Sequence, residues 1–270
     1  MKKGWTAAAL LTAAAVTAAA LMAGCGGDKK ASSAGKEPIR VGTSATYVPF
    51  EFKDGETFKG YEIDLTEALA KEMGREVTFK NYSFDGLIPA LLSREIDMSV
   101  TGMTITKPRA DKILFSAPDY ETTLYVLAKK SSGVKSAEDL KNVTVAVQMA
   151  TTGATYCEEN GLKMKGLDSS SEITMDLKAG NSEAGIMDKP VAEYFMKTSE
   201  DSKDFVTFPL PNVKKQYFGF GFNKKDEALR NEVNQALASL KQKGTLNEIH
   251  KKWFGSDAPD MPASAEDVLK

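Results

Sequence analysis

Short apolar runs alternate along the chain with segments in which apolar residues recur at helical spacing, beginning at Ile39. The runs predict buried strands, and apolar residues three and four positions apart predict amphipathic helices. This alternation is typical of an α/β protein. The predicted strands cover residues 39–43, 77–79, 98–100, 124–128, 143–147, 184–187 and 217–222.

Capping and stop residues mark the helix boundaries. Gly74 and Gly244 follow apolar-periodic segments and are predicted to end helices. Thr245 and Glu248 have the spacing of a capping box, and Pro190 suits a first helical turn. The predicted helices cover residues 63–73, 83–94, 106–114, a short helix near 136–139, 151–159, a helix opened by Pro190, and segments at 233–240 and 245–253.

The N-terminal segment is predicted to be a secretory signal. Lys2 and Lys3 precede residues 4–27, which carry no charge and are rich in Ala and Leu. A basic start, an apolar middle and small residues at the end are typical of such signals. A transmembrane anchor is the alternative on length, but alanine is only weakly apolar. No later stretch resembles a membrane span, so we expect the folded part to lie outside the membrane.

The end of this segment, Leu21-Met22-Ala23-Gly24-Cys25, resembles a bacterial lipobox. The resemblance implies a lipoprotein signal peptide over residues 1–24 and lipidation of Cys25, which then begins the mature chain. Residues 25–37 are rich in Gly, Ser and Lys and are predicted to form a flexible tether.

Composition and charge exclude several classes of function. The chain has 270 residues, with 35 Lys and Arg, 37 Asp and Glu, one His and two Cys. A net charge of −2 argues against nucleic-acid binding, which needs a basic surface. One His and two Cys are too few for a Cys/His zinc site or a disulfide-stapled fold. GxSxG, HExxH, P-loop and GxGxxG motifs are absent, and we expect no metal, no cofactor and no enzymatic activity.

Four chemistry-bearing residues are interpreted structurally. His250 lies between an apolar residue and two lysines and is interpreted as a surface helix residue. Cys157 lies within a predicted helix and is interpreted as a buried, inert thiol. Glu62 and Asp64 are two residues apart and do not share a helical face, so they are interpreted as first-turn acids that the helix dipole stabilises.

Several segments together resemble the family 3 extracellular solute-binding proteins, the polar amino-acid-binding proteins of ABC transporters. The resemblance covers nearly all of residues 38–255 and is closest to glutamine-binding members. The segments that carry it are 47–52 (YVPFEF), 60–65 (GYEIDL), 83–91 (SFDGLIPAL), 101–106 (TGMTIT) followed by Arg109, 145–153 (VAVQMATTG), Met187-Asp188 and 244–255 (GTLNEIHKKWFG).

The resemblance implies a two-lobed α/β fold, the type II periplasmic-binding-protein fold. Each lobe is then a central sheet flanked by helices, and a two-strand hinge joins the lobes. The implied lobes are 38–122 plus 216–270, and 123–215. The implied function is that of an extracytoplasmic, lipid-anchored monomer, which closes on a free L-amino acid and delivers it to the permease subunits of an ABC transporter.

A binding site for a free amino acid must match both charges of a zwitterion, because a buried unpaired charge costs several kcal/mol. Arg109 can clamp the carboxylate with two parallel hydrogen bonds. Thr104 adds a hydroxyl and an N–H, and Thr152 lies where a strand turns into a helix, at the positive end of a helix dipole. Asp188 supplies the anion for the ammonium, and Gly102 can offer a carbonyl.

Two aromatic residues complete the main contacts. Tyr47 and Phe84 can sandwich the apolar part of the ligand, with a cation–π contribution. The family's motif places its ligand contacts at these same positions, and the site that we predict also includes Thr101.

The identity of the side chain depends on other positions. Ser44 and Gln148 are neutral and can hydrogen-bond a neutral polar group, so we expect glutamine or a similar amino acid. Glu51 or Glu121 would supply negative charge if either reached the pocket. In that case the alternative is a basic amino acid: arginine, lysine or histidine.

Each of the strongest site residues also has a purely structural interpretation. Arg109 could be an exposed helix residue, and Asp188 could be an N-cap of the helix opened by Pro190. Phe84 could belong to the core, and Tyr47 could be a plain loop aromatic.

Two other classes of function compete with this hypothesis. A cleft enzyme of the same fold, similar to cyclohexadienyl dehydratase or a peptidoglycan-cleaving enzyme, would need a protonated acid in the cleft, and Asp188 is the candidate. A receptor sensing domain would need a second hydrophobic segment and a signalling domain.

Overall fold

The computed structural model describes residues 37–270. The predicted signal peptide, Cys25 and the tether as far as residue 36 lie outside the described residues. Over residues 37–270, no helix has both the length and the apolar character needed to span a bilayer.

The described residues alternate strands and helices, as the hydrophobic pattern predicts. The strands are β1 Ile39–Thr43, β2 Thr46–Tyr47, β3 Glu51–Asp54, β4 Thr57–Lys59, β5 Val77–Asn81, β6 Met98–Ser99, β7 Leu114–Phe115, β8 Tyr120–Thr122, β9 Leu124–Lys129, β10 Val145–Gln148, β11 Met164–Leu167, β12 Ala184–Asp188, β13 Phe205–Pro209, β14 Gln216–Phe218 and β15 Gly221–Phe222. The helices are α1 Tyr61–Glu72, α2 Leu87–Leu92, α3 Lys107–Ala110, α4 Thr152–Glu159, α5 Ser170–Ala179, α6 Lys189–Thr198, α7 Glu227–Lys243, α8 Thr245–Phe254 and α9 Ala265–Val268.

The first lobe is built on a five-stranded sheet with the order β5-β1-β6-β15-β7. Strand β1 pairs in parallel with β5 and β6, while β15 runs antiparallel to β6 and β7. Parallel pairs need crossover connections, which contain α1 and α2 here. The carboxyl ends of β1 and β6 therefore lie at the same edge of the sheet.

The second lobe is built on a five-stranded sheet with the order β11-β10-β12-β9-β13. Strand β10 pairs in parallel with β11 and β12, and β9 pairs antiparallel with β12 and β13. Helices α4 and α5 connect the parallel strands. The carboxyl ends of β10 and β12 lie at one edge, as in the first lobe.

A separate antiparallel ladder carries the chain between the two sheets. Strand β8 leaves the first lobe and pairs with β14, which returns to it, through Thr122 opposite Gln216 and Tyr120 opposite Phe218. The predicted α/β class, with two helix-flanked sheets, is confirmed. The predicted lobe boundaries, 38–122 plus 216–270 and 123–215, stay a prediction.

Apolar burial explains how the helices attach to the first sheet. Helix α1 buries Tyr61, Leu65 and Leu69 completely, at the helical spacing predicted. Helix α7 buries the four residues predicted to share its face, Val233, Ala236, Leu237 and Leu240. Each fully buried leucine contributes roughly 1.5–3 kcal/mol. Both helices pack into one apolar cluster with β1 and β6.

The predicted helix at 106–114 is wrong in its second half. Helix α3 ends at Ala110, and Leu114 is part of β7, opposite Phe222 of β15. The apolar residues Ile113 and Phe115 are buried. Pairing with a distant strand overrides the local helical pattern, and such pairing is not visible in the sequence.

The predicted strand at 217–222 is divided into two. Residues 216–218 pair with the crossing strand β8, while residues 221–222 pair with β6 and β7. Gly219 lies at the change of sheet, where a Cβ would stand 3.0 Å from the side chain of Ile105. One apolar run thus serves two sheets.

The capping box predicted at Thr245 and Glu248 is also wrong. Gly244 occupies the N-cap position of α8 in the left-handed conformation, and no side chain caps the helix. Thr245 is therefore the first helical residue. A capping box does form at Ser169 and Glu172, where it opens the unpredicted helix α5. The strands β2–β4, β11 and β13 were not predicted either.

His250 is buried, with 4% of its surface exposed, which contradicts its interpretation as a surface residue. Its ring stacks on Tyr120 at 5.5 Å, and its Nδ1 lies 2.7 Å from the Ser256 carbonyl oxygen. Burial lowers the pKa of His250, so it serves as a neutral ring in the core. Cys157 is buried as predicted, and burial raises the pKa of its thiol to about 12.

Candidate functional site

The ten residues predicted to contact a ligand surround one small cavity between the two sheets. They lie at the carboxyl ends of strands or in the segments that follow them in both lobes, which is where open α/β sheets form their binding crevices. The first lobe contributes Ser44, Tyr47, Phe84, Thr101, Gly102, Thr104 and Arg109, and the second contributes Gln148, Thr152 and Asp188. Their role as ligand contacts stays a proposal.

The cavity has a volume of about 30 Å³, room for about two water molecules. It adjoins an open groove of about 1120 Å³ that runs between the lobes and shares Phe84, Arg109 and Thr152 with it. An amino acid is larger than the cavity. Binding therefore requires the polar groups that line the cavity to give up their present hydrogen-bond partners and to bind the ligand instead.

Arg109 connects the two lobes. Its Nη1 donates to the Thr104 carbonyl at 2.8 Å, and its Nη2 donates to the Ala150 carbonyl at 3.0 Å across the cleft. The guanidinium lies 5.2 Å from the centre of the Phe84 ring. Loss of water around it lowers the pKa of Arg109 to about 10, so it stays cationic at neutral pH. This position between the lobes differs from that of an ordinary exposed helix residue.

Asp188 lies at the end of β12, before α6, but its side chain makes no capping hydrogen bond. Its carboxylate instead accepts from the Tyr47 hydroxyl across the cleft and from Thr122 Oγ1 at 3.0 Å. Burial raises the pKa of Asp188 to about 6, against the opposing effects of these hydroxyls and of Arg109. Asp188 is thus an anion at neutral pH, close to its titration range.

Tyr47 is a buried residue rather than a plain loop aromatic. Its ring stacks on Phe50 at 5.4 Å and lies directly against Gly102. A Cβ at Gly102 would stand 2.6 Å from the Tyr47 ring, and the backbone there has φ +55°, so this position requires glycine. Ring and loop form one packed wall of the cavity.

The N-terminus of α4 also faces the cavity. Thr151 is its N-cap and accepts from the Ala154 N–H at 3.3 Å, while Thr152 Oγ1 lies 3.3 Å from Gln216 Oε1. Free N–H groups at a helix start attract anions. Thr151 lines the cavity but was not among the predicted site residues, although a threonine at the start of a predicted helix is a capping signal.

Two polar residues lie deeper between the lobes. Ser44 and Gln148 are both buried, with 5% and 6% exposure. Gln148 Nε2 donates to the Asp168 carbonyl at 3.2 Å, which leaves its amide oxygen as the group that can accept from a ligand. Glu51 and Glu121 do not line the cavity, and Glu121 instead pairs with Lys215 at 2.9 Å.

Glu62 is an acid in the first turn of α1, as predicted, but it also has a second contact that the sequence does not reveal. It is 1% exposed, and its Oε2 accepts from the Gly102 N–H at 2.9 Å. Asp64 is half-buried at the surface and accepts from Lys252 and from Trp253 Nε1, at 2.7 and 2.6 Å. Glu62 therefore contacts the backbone of the cavity wall, a role that helix periodicity cannot reveal.

Known proteins are similar to this chain in sequence and in fold. A model of the bacterial extracellular solute-binding proteins, family 3, matches residues 39–256. The arginine-binding extracellular protein ArtP of Bacillus subtilis (strain 168) is 34% identical over 250 residues, which cover 91% of this chain and 97% of that protein.

Solved structures of similar proteins agree with this family match. The arginine-, lysine-, histidine-binding protein ArtJ of Geobacillus stearothermophilus is 36% identical with a TM-score of 0.78, over 82% of this chain and 96% of that chain. An ancestral arginine-binding protein bound to glutamine is 36% identical with a TM-score of 0.76, over 82% of this chain and 99% of that chain. ArtP is named an extracellular protein, and all three proteins are named for amino-acid binding. The chain therefore belongs to family 3 of the bacterial extracellular solute-binding proteins.

Proposed function

We propose that the protein is the extracytoplasmic substrate-binding component of an amino-acid ABC transporter and binds a free L-amino acid with a cationic side chain. The observation that carries the proposal is the pair of opposite charges in the cleft. Arg109 of the first lobe suits the ligand carboxylate, and Asp188 of the second lobe suits its ammonium. Because a free amino acid needs both partners, the site matches the zwitterion.

A cationic side chain is better supported than glutamine, the amino acid first expected. The relatives reported above are named for arginine, lysine and histidine binding. The amide oxygen of Gln148 suits a donor-rich group such as a guanidinium.

Ligand binding would favour the closed arrangement of the lobes. A ligand that contacts Arg109 and Asp188 together gains both interactions only when the lobes approach each other. Hinge closure of this kind is a known behaviour of periplasmic binding proteins. The β8–β14 ladder is the connection about which closure would occur.

Delivery follows from closure in this proposal. The closed form presents a surface that the permease subunits of the transporter recognise, and a lipid on Cys25 keeps the protein near them. A relative named as an ABC transporter arginine-binding protein supports the permease as partner, and the lipobox-like segment supports the anchor.

A thermal-shift screen of the purified mature protein against all twenty amino acids tests the proposal. We expect L-arginine, L-lysine or L-histidine to raise the melting temperature most, because a ligand stabilises the state that it binds. A larger shift with glutamine would restore the neutral side chain. The absence of a shift with every amino acid would contradict the proposed function.

Replacing Tyr47 with phenylalanine is expected to strengthen binding. The Tyr47 hydroxyl and the ligand ammonium compete for Asp188, and the variant removes the competitor while it keeps the ring. A hydrogen bond to a charged group contributes ~1.5–3 kcal/mol, so the gain in affinity should lie between ~10-fold and ~150-fold in titration calorimetry with L-arginine. Tyr194→Phe, on α6, is the control. Weaker binding by Tyr47→Phe would mean that the hydroxyl contacts the ligand.

Affinity is expected to fall at acid pH. Asp188 must be ionised to pair with an ammonium, and its pKa is raised to about 6. Affinity for L-arginine should therefore decrease as the pH falls from 7 through this value, by up to ~10-fold per pH unit. The stability of the ligand-free fold should instead rise as the pH falls, because an acid with a raised pKa stabilises the fold when it becomes protonated. Calorimetry from pH 7 to 5 measures the first trend, and a flat profile would contradict it.

A further inference from the structure

Three carboxyl groups lie buried directly behind the cavity wall. Glu51 and Asp119 are fully buried and Glu62 is 1% exposed. Among residues 37–270 none of the three forms an ion pair with Lys, Arg or His. An ionised carboxylate without a partner costs several kcal/mol in such a place, so this cluster cannot hold three negative charges.

The contacts within the cluster show where a proton is needed. The carboxyl groups of Glu62 and Asp119 lie within hydrogen-bonding reach of each other. No N–H or hydroxyl of the described residues donates to either Asp119 side-chain oxygen. Two carboxylates only repel at this range, whereas a carboxylic acid donates to a carboxylate. A proton carried by Glu62 therefore supplies the donor that Asp119 lacks.

Glu62 also reaches the ligand site. Its Oε2 accepts a hydrogen bond from the Gly102 N–H at 2.9 Å, and Gly102 lines the cavity beside Thr101. The glycine lies against Tyr47 so tightly that a Cβ would not fit. A displacement of Gly102 would therefore move the carbonyl expected to accept the ligand ammonium, together with the Tyr47 wall.

We propose that Glu62 and Asp119 share one proton and that the protonated pair holds Gly102 in position for the ligand, so that binding weakens when the proton is lost at alkaline pH. Glu62 is then a positioning residue that acts through Gly102. The effect on binding rests on the proposed function, because it needs the ligand. The shared proton does not, because it is a property of the ligand-free protein.

Other charged and titratable groups face the pair without supplying its proton. Burial raises the pKa of Glu62 well above its ordinary value, and the charge of Asp119 raises it further. Burial raises the pKa of Asp119 as well. The groups around the pair are Glu51 on β3, Tyr47 on β2, Tyr61 on α1, Tyr120 on β8, Asp188 on β12 with Arg109 beside it, and His250 on α8, which stacks on Tyr120.

A shared proton that positions Gly102 and a simple electrostatic attraction lead to opposite pH dependences of ligand affinity. A cationic ligand would be attracted by an additional negative charge, so a field effect alone would strengthen binding as the pH rises. Loss of the shared proton instead places two adjacent negative charges behind Gly102 and disturbs the loop. The direction of the pH dependence thus distinguishes the two.

Titration calorimetry with L-arginine from pH 7.5 to 8.5, above the range in which Asp188 titrates, tests the pair. Wild-type affinity is expected to fall with rising pH, approaching ~10-fold per unit once the proton is lost. In Glu62→Gln the amide donates to Asp119 and accepts from Gly102 with no proton to lose, so its affinity should change less than wild type with pH. Asp64→Asn, an acid of the same helix turn that faces Lys252, is the matched control and should follow wild type. An equal profile in Glu62→Gln, or stronger wild-type binding at pH 8.5, would overturn the proposal.

Two ligand-free measurements keep the inference separate from the proposed function. Infrared spectra of the wild type should show the carbonyl stretch of a neutral buried carboxyl, and Glu62→Gln should lose one such band. The amide resonance of Gly102 should titrate with pH in the wild type and not in the variant. If Glu62→Gln does not fold, Asp119→Asn is expected to give the same losses. Titration of Gly102 with no amino acid bound at any pH would reject the proposed function alone, and a Gly102 resonance that does not titrate would reject the inference.

Discussion

Replacing Arg109 with alanine is expected to abolish measurable amino-acid binding at micromolar ligand concentrations. The guanidinium is the cation that lines the small cavity, and it reaches carbonyl oxygens of both lobes. Without it, a ligand carboxylate would be buried opposite neutral groups. Removal of one partner of a desolvated charge pair costs about 2–5 kcal/mol, which corresponds to a loss of affinity of ~30-fold to several thousandfold.

Two further variants show whether the loss of affinity is specific to the guanidinium of Arg109. Lys107→Ala, on the same short helix, removes an exposed cation that pairs with Asp111 and should leave affinity unchanged. Arg109→Lys keeps the charge but not the two parallel donors, and its affinity should lie between wild type and Arg109→Ala. Affinity in Arg109→Ala within about twofold of wild type would show that the carboxylate binds elsewhere.

Replacing Asp188 with asparagine is expected to weaken binding about as much as Arg109→Ala does, but to make the ligand-free protein more stable. The amide keeps the size of the side chain but cannot neutralise an ammonium, so affinity should fall by about 2–5 kcal/mol. The ionised carboxylate is disfavoured by burial, as its raised pKa shows. The ligand-free variant should therefore melt a few degrees above wild type at pH 7.5.

The combination of weaker binding and a more stable fold separates a functional acid from a structural one. Asp201→Asn, which removes a half-exposed acid paired with Lys178 in the same lobe, is the control and should change neither property appreciably. A less stable Asp188→Asn protein would mean that the carboxylate holds the fold together. Calorimetry and thermal melts of the same preparations measure both properties.

Much of the site was predictable because its residues follow predicted strands and carry recognisable chemistry. Asp188 ends an apolar run, and Thr152 begins a helix after another such run. The carboxyl ends of parallel strands meet at one edge, so residues distant in sequence could be placed together. Arg109 was identified by its chemistry and by the family motif, although the helix that carries it is shorter than predicted.

The rest depends on long-range packing that local patterns do not contain. Glu62 occupies the first turn of α1 as an acid would at the surface, and only the fold buries it beneath Gly102. His250 appears solvent-facing from its lysine neighbours, yet it stacks on Tyr120 in the core. Likewise, β7 forms from a segment with helical spacing because Leu114 meets Phe222 across the sheet.

Titration calorimetry of the wild-type protein with L-arginine, L-citrulline and L-glutamine tests whether the site selects a cationic side chain. Citrulline has nearly the shape of arginine but an uncharged side chain, so the comparison isolates the side-chain charge while Arg109 and Asp188 still match the zwitterion. We expect tight binding of arginine, with citrulline and glutamine weaker by at least ~10-fold. Equal affinity for arginine and citrulline, or tighter binding of glutamine, would contradict it.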